Sequence, residues 1–376
     1  MARIPAPQNK PSRFVPDICP NPSTPFGLFN ATVVRTPDAN LLTLRPPARR
    51  MANIAVTDGM DESAVRWLES KGHNVVVEAI DPDALLNGAL NGMDAIVVRS
   101  ATKLTADVLR ASSGLKVIGR AGVGVDNIDV DTAGDLGIAV VNAPRASTQS
   151  VVELTLGHLL ACVRHVARAD RTLRGGEWAK KALKGTELAG KRLGLIGYGR
   201  IAQSVGQVAK ALGMEVHAYD PYLPPHVAKT HGTVLHAQVD DLFRRCTHIS
   251  IHCNLSDETH HLVNADRIAS MPQLGADGTT CGRHLVNCAR GGIVDEAAVV
   301  EALENGVLTS VALDVFEEEP VNPDHPLLQM DGFHGTPHIG ASTMEAQTRV
   351  GMDIAANVHA VLNGDECDFI LNRPSR

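Results

Sequence analysis

The chain has 376 residues, 44% of them hydrophobic, which is enough for a sizeable core and, by length, for two domains. A formal net charge of −7 and only 3% aromatic residues argue against nucleic acid or an acidic membrane surface as a partner. The seven cysteines are odd in number and form no C-x-x-C pair. We therefore expect no disulfide framework, no bound metal, and a reducing, cytoplasmic compartment.

Residues 1–50 differ in composition from the rest of the chain. Proline is dense there, and neither a helical nor a strand period is visible. This composition predicts a disordered extension. Two interpretations stay open: several arginines with few acidic residues resemble an organelle transit peptide, and a start at Met51 would make the segment a simple upstream extension.

From Asn53 onward, short apolar runs alternate with helical stretches. The first block of predicted strands is NIAVTDG, VVVEAI, AIVVRS, LKVIGRAG and IAVVNAP. The predicted helices between them are Glu62–Ser70, Asp83–Leu90, Thr105–Ala111 and Asp129–Leu136. The second block of predicted strands is KRLGLIG, EVHAYD, THISIHC, RHLVNCA and TSVALDVF. Two such blocks predict an α/β fold with two doubly wound parallel-sheet domains, Rossmann-like or flavodoxin-like.

A long helical stretch, from about Ser147 to Arg174, separates the two blocks. It contains the most apolar run of the chain, Val151–Val163, which Glu153 and His158 interrupt. A run this short and this polar does not span a bilayer, so we expect no membrane anchor.

A glycine-rich turn follows the strand at Leu193–Ile196. Gly197 and Gly199, with Ala202, fit the G-x-G-x-x-G/A pattern between a strand and a helix, where glycines let the backbone approach a pyrophosphate. Asp220 ends the next strand and is placed to hold the ribose hydroxyls. Because its charge would repel a 2′-phosphate, we predict NAD rather than NADP. The alternative is a structural turn with a helix-capping aspartate.

A second glycine run, Arg120–Gly124, also follows a strand. No suitable acidic residue ends the strand after it, so we interpret it as a loop whose N–H groups face a substrate anion. An ordinary strand–helix turn is the alternative.

Three polar residues in the C-terminal half follow strands. Arg290 lies where open α/β sheets bind ligands, and its planar fork suits a carboxylate. Glu319 and His338 lie after later strands. A histidine charged with the help of a glutamate can give a proton to a developing alkoxide. Taken alone, these residues also allow non-functional interpretations. His338 is one of 16 histidines, and Glu319 belongs to an acidic run that could simply be solvated.

Six segments together resemble the D-isomer-specific 2-hydroxyacid dehydrogenases. They are VVRSATKLTADVL, GRAGVGVDNIDVDTA, GTELAGKRLGLIGYGRIA, VNCARGGIVDEAA, ALDVFEEEP and TPHIGASTMEAQ. The resemblance runs from about Asn53 to Asn372 and is nearest to the members that act on 3-phosphoglycerate.

The resemblance implies a role for each matching residue. The catalytic set is Arg290, Glu319 and His338. The implied cofactor residues are Val123, Gly197, Gly199, Arg200, Ile201, Asp220, Cys253, Cys288, Ala289, Asp314, His338 and Gly340. The implied substrate residues are Arg99, Ser100, Val123, Gly124, Asn142, Lys180 and Arg290, with Arg99 and Lys180 assigned to a substrate phosphate.

The resemblance also implies a discontinuous substrate domain, residues 51–150 plus 336–372, around an NAD-binding domain at 151–335. It implies a homodimer or homotetramer in contact through the arm at Val151–Trp178. The implied reaction is the NAD-dependent oxidation of 3-phosphoglycerate to 3-phosphohydroxypyruvate in serine biosynthesis. The alternatives are a glyoxylate or hydroxypyruvate reductase of the family, and an NAD(H)-sensing, corepressor-like binding protein. Because the chain ends at Arg376, we expect no appended regulatory domain and no allosteric serine site.

Overall fold

The computed structural model describes residues 51–372. The predicted disorder over residues 1–50 lies outside the described residues. Two all-parallel sheets organise the described part, and we call each sheet with its helices a lobe. The predicted fold class is confirmed.

The first lobe is built on a five-stranded sheet of order β2-β1-β3-β4-β5. Its strands are β1 (Asn53–Val56), β2 (Asn74–Val77), β3 (Ala95–Val98), β4 (Val117–Arg120) and β5 (Ala139–Asn142). The helices between them are α1 (Glu62–Ser70), α2 (Pro82–Leu86), α3 (Ala106–Ala111) and α4 (Val130–Asp135). All four residues of β3 and of β5 are buried, as expected for parallel strands covered on both faces.

The second lobe is built on a seven-stranded sheet of order β12-β11-β10-β9-β6-β7-β8. Its strands are β6 (Arg192–Ile196), β7 (Glu215–Tyr219), β8 (Val234–His236), β9 (His248–Ile251), β10 (His284–Asn287), β11 (Ser310–Leu313) and β12 (Phe333–Gly335). Its helices are α7 (Arg200–Ala211), α8 (Pro225–Thr230), α9 (Val239–Arg245), α10 (Ala265–Ser270) and α11 (Glu296–Glu304), with a 3-10 turn at Pro326–Gln329. The short outer strands β8 and β12 were missed by the sequence analysis.

The long helix predicted between the lobes is two helices. α5 (Thr148–Arg164) ends at His165, which has a left-handed φ of 55°, and α6 (Val166–Arg174) follows at an angle of 66°. α5 packs on the second sheet through Val152, Leu159 and Val163, whereas α6 has no buried residue. Within residues 51–372 no single helix is long and apolar enough to cross a membrane, and only this bent pair meets the length and composition jointly.

The last helix, α12 (Met344–Asn363), returns to the first lobe. Thr343 caps its N-terminus, and Gly364 ends it with a φ of 75°. The helix lies directly on β4, because a Cβ on Gly119 would come within 2.7 Å of Val358. The first lobe is therefore made of two separated chain segments. The exact domain boundaries stay a prediction.

Both sheets direct the carboxyl ends of their strands toward shared cavities. In the second sheet the order of strand addition reverses between β6 and β9, and in the first sheet it reverses between β1 and β3. Crevices at such reversals bind ligands in open α/β folds.

Candidate active site

Glu319 and His338 are hydrogen-bonded to each other in the cleft between the lobes. His338 Nδ1 lies 2.7 Å from Glu319 Oε2, and the Phe316 N–H donates to Glu319 Oε1 at 3.1 Å. Burial raises the pKa of Glu319, but the hydrogen bonds from His338 and Phe316 and the charges of His338 and Arg290 outweigh it and lower the pKa below its ordinary value. Glu319 is therefore held as a carboxylate facing the imidazole.

Asp314 holds the turn that presents His338. Its carbonyl accepts the His338 N–H at 2.8 Å, and its carboxylate accepts the N–H groups of Ile339 and Gly340, each at 2.8 Å. His338 has a left-handed φ of 51°, which is uncommon outside glycine. Asp314, one of the implied cofactor residues, lines the cleft cavity, but its carboxylate oxygens already accept the hydrogen bonds that hold this turn.

A buried histidine fixes Asp314 from behind. The Thr336 hydroxyl donates to Asp314 Oδ1 at 2.6 Å, and His158 Nε2 lies 2.9 Å from Thr336 Oγ1. Since the hydroxyl has one proton, His158 must donate from Nε2. Burial lowers the pKa of His158, which agrees with a neutral ring in that tautomer.

Arg290 reaches the same cleft from the end of β10. Asn287 braces the turn by accepting the Ala289 N–H at 2.9 Å and donating to the Arg290 carbonyl at 2.8 Å. Gly291 has no room for a side chain, because a Cβ would lie 1.7 Å from the Phe316 carbonyl oxygen. The guanidinium donates from Nη1 to the Ala289 carbonyl at 2.7 Å and from Nε to Asp126 of the first lobe at 2.9 Å.

Two further arginines accompany Arg290. Arg99 directly follows β3, Arg120 is the last residue of β4, and both line a cavity with Arg290. Burial, and then the charges of Arg290 and Arg99, lower the pKa of Arg120 to about 10. Arg120 Nε is buried without a hydrogen-bond partner among the described residues. Three guanidinium groups that repel one another and an unsatisfied donor favour an anionic ligand.

The glycine loop of the first lobe makes room for these arginines. A Cβ on Gly122 would lie 1.8 Å from Arg120 Nη1, and one on Gly124 would lie 1.7 Å from Arg290 Nη2. The sequence analysis expected N–H groups that face an anion. In the structure, these glycines allow two guanidinium groups to lie against the backbone.

The second lobe carries a turn that suits a dinucleotide. Gly197 has a φ of 79°, and a Cβ there would lie 2.8 Å from the His252 carbonyl oxygen, so only glycine fits. Gly199 faces open space and precedes α7, whose first N–H groups have no side-chain cap. Asp220 accepts the N–H groups of Tyr198 at 2.9 Å and Tyr222 at 3.0 Å, which orients its carboxylate at the end of β7. These features fit a pyrophosphate and a ribose.

The structure brings most of the predicted site residues to three cavities, one of which shares lining residues with each of the other two. One is lined by predicted substrate and cofactor residues, namely Arg99, Ser100, Val123, Gly124, Ile201, Cys253, Cys288, Ala289, Arg290, Asp314, His338 and Gly340. The neighbouring cavity is lined by Gly197, Gly199, Arg200, Asp220 and Cys253. Arg290, Glu319 and His338 line a third with Asp126.

Two predicted substrate residues lie elsewhere. Asn142 is buried behind the glycine loop and donates to the Val123 carbonyl at 2.7 Å. Lys180 is exposed on the segment between α6 and β6 and lines none of these three cavities.

Several functional neighbours were missed by sequence reasoning. Asp58 accepts the N–H groups of Arg99 (2.6 Å) and Thr102 (3.1 Å), and Asn127 donates to their carbonyls, so both fix the turn that carries Arg99. Arg120 was also missed as a site residue, since it was considered only as the start of the glycine run. Its position at the carboxyl end of a strand, the criterion that singled out Arg290, was the available signal.

The two cysteines among the implied cofactor residues, Cys253 and Cys288, are neutral thiols. Burial raises the pKa of Cys253 to about 11 and that of Cys288 to about 12. They therefore form an uncharged wall of the cavity.

One more polar cluster lies outside this site. His261 points Nε2 at Glu317 Oε1 (3.0 Å) and Nδ1 at Asp295 Oδ2 (3.9 Å). Because one ring nitrogen faces each carboxylate, this arrangement is that of a bridging imidazole, and we assign no metal to it.

Comparison with known proteins agrees with this geometry. The model of the D-isomer specific 2-hydroxyacid dehydrogenase NAD binding domain matches residues 156–340. A hydroxypyruvate reductase of Thermotoga maritima is 45% identical over 308 residues, which cover 81% of this chain and 96% of the relative. This chain belongs to the D-isomer specific 2-hydroxyacid dehydrogenases. The resemblance predicted from six segments is confirmed, and the matched domain gives NAD as the cofactor.

Two further relatives of this family member bear on its size and fold. A D-3-phosphoglycerate dehydrogenase of Methanocaldococcus jannaschii is 46% identical over 325 residues, which cover 86% of this chain and 60% of the relative. The chain thus spans about 60% of that relative's length. The crystal structure of the TT0316 protein from Thermus thermophilus superposes with a TM-score of 0.77 at 33% identity, and covers 85% of this chain and 99% of that one.

Proposed function

We propose that the protein transfers a hydride between NAD and the C2 carbon of a D-2-hydroxy acid. The observation that carries the proposal is the convergence of a carboxylate-binding fork, Arg290, with an acid–base pair, His338 and Glu319, in one cavity. Arg290 and His338 also line the cavity that contains most of the implied cofactor residues. NAD supplies the hydride acceptor or donor when bound.

Each residue has a defined task in this proposal. Arg290 binds the substrate carboxylate and polarises the C2 oxygen. His338 Nε2 takes the C2 hydroxyl proton in oxidation and returns it in reduction, because Nδ1 is engaged by Glu319. Glu319 keeps the ring oriented and stabilises its charged form. Asp314 fixes the backbone that presents His338.

The substrate we favour is 3-phosphoglycerate, oxidised to 3-phosphohydroxypyruvate as in serine biosynthesis. Arg99 and Arg120 supply positive charge beyond the one arginine that a carboxylate needs, and Arg120 Nε has no partner among the described residues. A phosphate is a suitable acceptor for both. The second candidate is reduction of hydroxypyruvate or glyoxylate. It is supported by the hydroxypyruvate reductase of Thermotoga maritima, 96% of whose length matches this chain.

A comparison of substrates tests the proposal. NADH oxidation is measured with 3-phosphohydroxypyruvate, hydroxypyruvate and glyoxylate. We expect kcat/KM to be at least ~100-fold higher for the phosphorylated acid, about 2.7 kcal/mol of discrimination. Equal turnover of the unphosphorylated acids would favour the second candidate, and no turnover of any would refute the proposal.

We also propose that the protein forms a homodimer through the arm of α5, α6 and the following residues. α6 has no buried residue, and Leu173 and Trp178 are 59% and 80% exposed. Large apolar side chains that are exposed on one segment in the single chain support an interface with a second copy. Analytical sedimentation of the wild type and of Leu173→Asp tests this. We expect the wild type to be a dimer and Leu173→Asp to dissociate at higher protein concentration than the wild type does. A monomeric wild type would refute the proposal.

A further inference from the structure

We propose that Asp126 is a positioning residue for Arg290, which it holds from the opposite lobe so that the remaining guanidinium N–H groups face the substrate carboxylate. The inference rests on the proposed function, in which Arg290 binds that carboxylate. In this inference Asp126, on the first lobe, sets the orientation of the Arg290 side chain, on the second lobe.

The hydrogen bonds of Arg290 show how it is held. Nε donates to Asp126 Oδ2 at 2.9 Å, and Nη1 donates to the Ala289 carbonyl at 2.7 Å. A guanidinium has five N–H donors, so three remain, one on Nη1 and two on Nη2. No other described residue accepts a hydrogen bond from the guanidinium of Arg290, which lines the cavity with His338.

Two anchors on different nitrogens fix the plane of the guanidinium. Without Asp126, only the bond to the carbonyl of the adjacent Ala289 would remain, and the group could turn about it. A bidentate carboxylate requires the plane to be set, since both N–H bonds must point at its two oxygens. A displacement of about 1 Å at such a clamp can cost about 100-fold in rate.

The local sequence keeps Asp126 in place. Asn127, its neighbour, donates to the carbonyls of Arg99 (2.7 Å) and Thr102 (2.6 Å), which ties the loop to the end of β3. A Cβ on Gly124 would lie 2.7 Å from Asp126 Oδ2 and 1.7 Å from Arg290 Nη2. The Asp126–Arg290 ion pair therefore lies against the backbone of Gly124, where any side chain would displace it.

Asp126 has a second effect on the same site. Its charge partly offsets the repulsion among the arginines, and it favours the charged form of Arg120. The same contact also suggests the opposite role, in which Asp126 competes with the substrate carboxylate for binding to Arg290. The two roles predict opposite effects on substrate affinity when Asp126 is removed.

Two substitutions separate these roles. In Asp126→Asn the side-chain amide oxygen can still accept from Arg290 Nε, whereas in Asp126→Ala nothing replaces the acceptor. A matched control is Asp107→Ala, which removes an exposed carboxylate paired with Arg110 on α3 of the same lobe. The readouts are kcat and KM for 3-phosphohydroxypyruvate and hydroxypyruvate, NADH affinity by fluorescence, and Tm.

We expect Asp126→Ala to raise KM for the keto acids and to lower kcat/KM by about 10- to 100-fold, with a smaller change in kcat. NADH affinity and Tm should stay at the wild-type values, and Asp126→Asn should recover most of the loss. A lower or unchanged KM in Asp126→Ala, or an Asp126→Asn variant as impaired as Asp126→Ala, would overturn the inference. A wild type without keto-acid turnover would instead refute the proposed function, so the two failures are distinguishable.

Discussion

His338 Nδ1 and Glu319 Oε2 lie 2.7 Å apart, and the two side chains are 42% and 37% exposed. This pairing leaves Nε2 as the ring nitrogen that can exchange a proton with substrate. Because the Glu319 carboxylate has a lowered pKa, the negative charge beside the ring persists over the pH range in which histidine titrates.

Replacing His338 by alanine should remove the proton donor while leaving the dinucleotide site intact. We expect kcat for keto-acid reduction to fall by about 100- to 10,000-fold, the range for loss of a general acid. NADH affinity, measured by fluorescence titration, should change little, since the dinucleotide turn lies at Gly197–Gly199. Unchanged turnover would show that another group gives the proton.

Replacing Glu319 by glutamine tests the charge separately from the hydrogen bond. Glutamine can still bond to His338 but does not stabilise a positive ring. For reduction, which needs a protonated donor, we expect the alkaline limb of the pH–rate profile to move to lower pH. The measurement is kcat/KM between about pH 5.5 and 9, a range that spans the titration of histidine. A profile superimposable on that of the wild type would contradict the role given to Glu319, and the neighbouring exposed Glu318→Gln serves as the control.

Asp220 is expected to discriminate NAD from NADP. Both of its oxygens accept backbone N–H groups, from Tyr198 and Tyr222, so the carboxylate is fixed at the end of β7. Asp220→Asn removes the charge and nearly keeps the shape, although its NH2 group can accept neither backbone N–H, so one of the two bonds is lost. We expect it to raise kcat/KM for NADPH relative to NADH by about 10-fold, or roughly 1.4 kcal/mol. If the ratio of the two coenzymes stays fixed, another residue sets the preference.

The sequence predicted the parts of the molecule whose signals are local. Buried parallel strands are continuous apolar runs, and the turn at Gly197 requires glycine because of its φ of 79°. The strands β8 and β12 gave no such signal, since each has three residues. The break at His165 was also missed, because no proline or glycine marks it.

Site residues that act through tertiary contacts were harder to predict. Asp126 and Arg290 are 164 positions apart in the chain, and only the folded lobes bring them together. Lys180 stays a prediction: the resemblance assigns it to a substrate phosphate, and in the single chain it lies on an exposed segment. Strand-end position, which identified Arg290, was a better guide than charge.

The two glycines of the dinucleotide turn should respond differently to alanine. At Gly197 the left-handed φ and the 2.8 Å approach to the His252 carbonyl oxygen make a side chain costly. We expect Gly197→Ala to lose about 2 kcal/mol or more of unfolding free energy in denaturant titration. Gly199→Ala, where nothing lies within 4 Å of a Cβ, should keep its stability and instead weaken NADH binding by filling the space for the pyrophosphate. Equal stability of both variants would contradict this assignment.

Buried histidines should make the fold sensitive to mild acid. Burial lowers the pKa of His284 to about 4, and also that of His252 to about 4, while an unfolded histidine titrates near 6.5. The folded state favours the neutral ring, so its contribution to stability is full above about pH 6.5 and is lost as the pH falls from there toward about 4. Each such histidine adds up to ~1.4 kcal/mol per pH unit to the decrease in unfolding free energy over this range.

Urea unfolding at about pH 8, 6.5, 5.5 and 5 measures this loss. We expect His284→Gln to be less stable than the wild type at the highest pH, since it loses bonds to Ser310 (2.8 Å) and the Cys281 carbonyl (2.9 Å), but to have a shallower decline in the acid range. His226→Gln is the control, because His226 is exposed on α8 and its loss should leave the slope unchanged. An equal slope in His284→Gln and the wild type would show that carboxylates, and not this buried ring, govern the acid response.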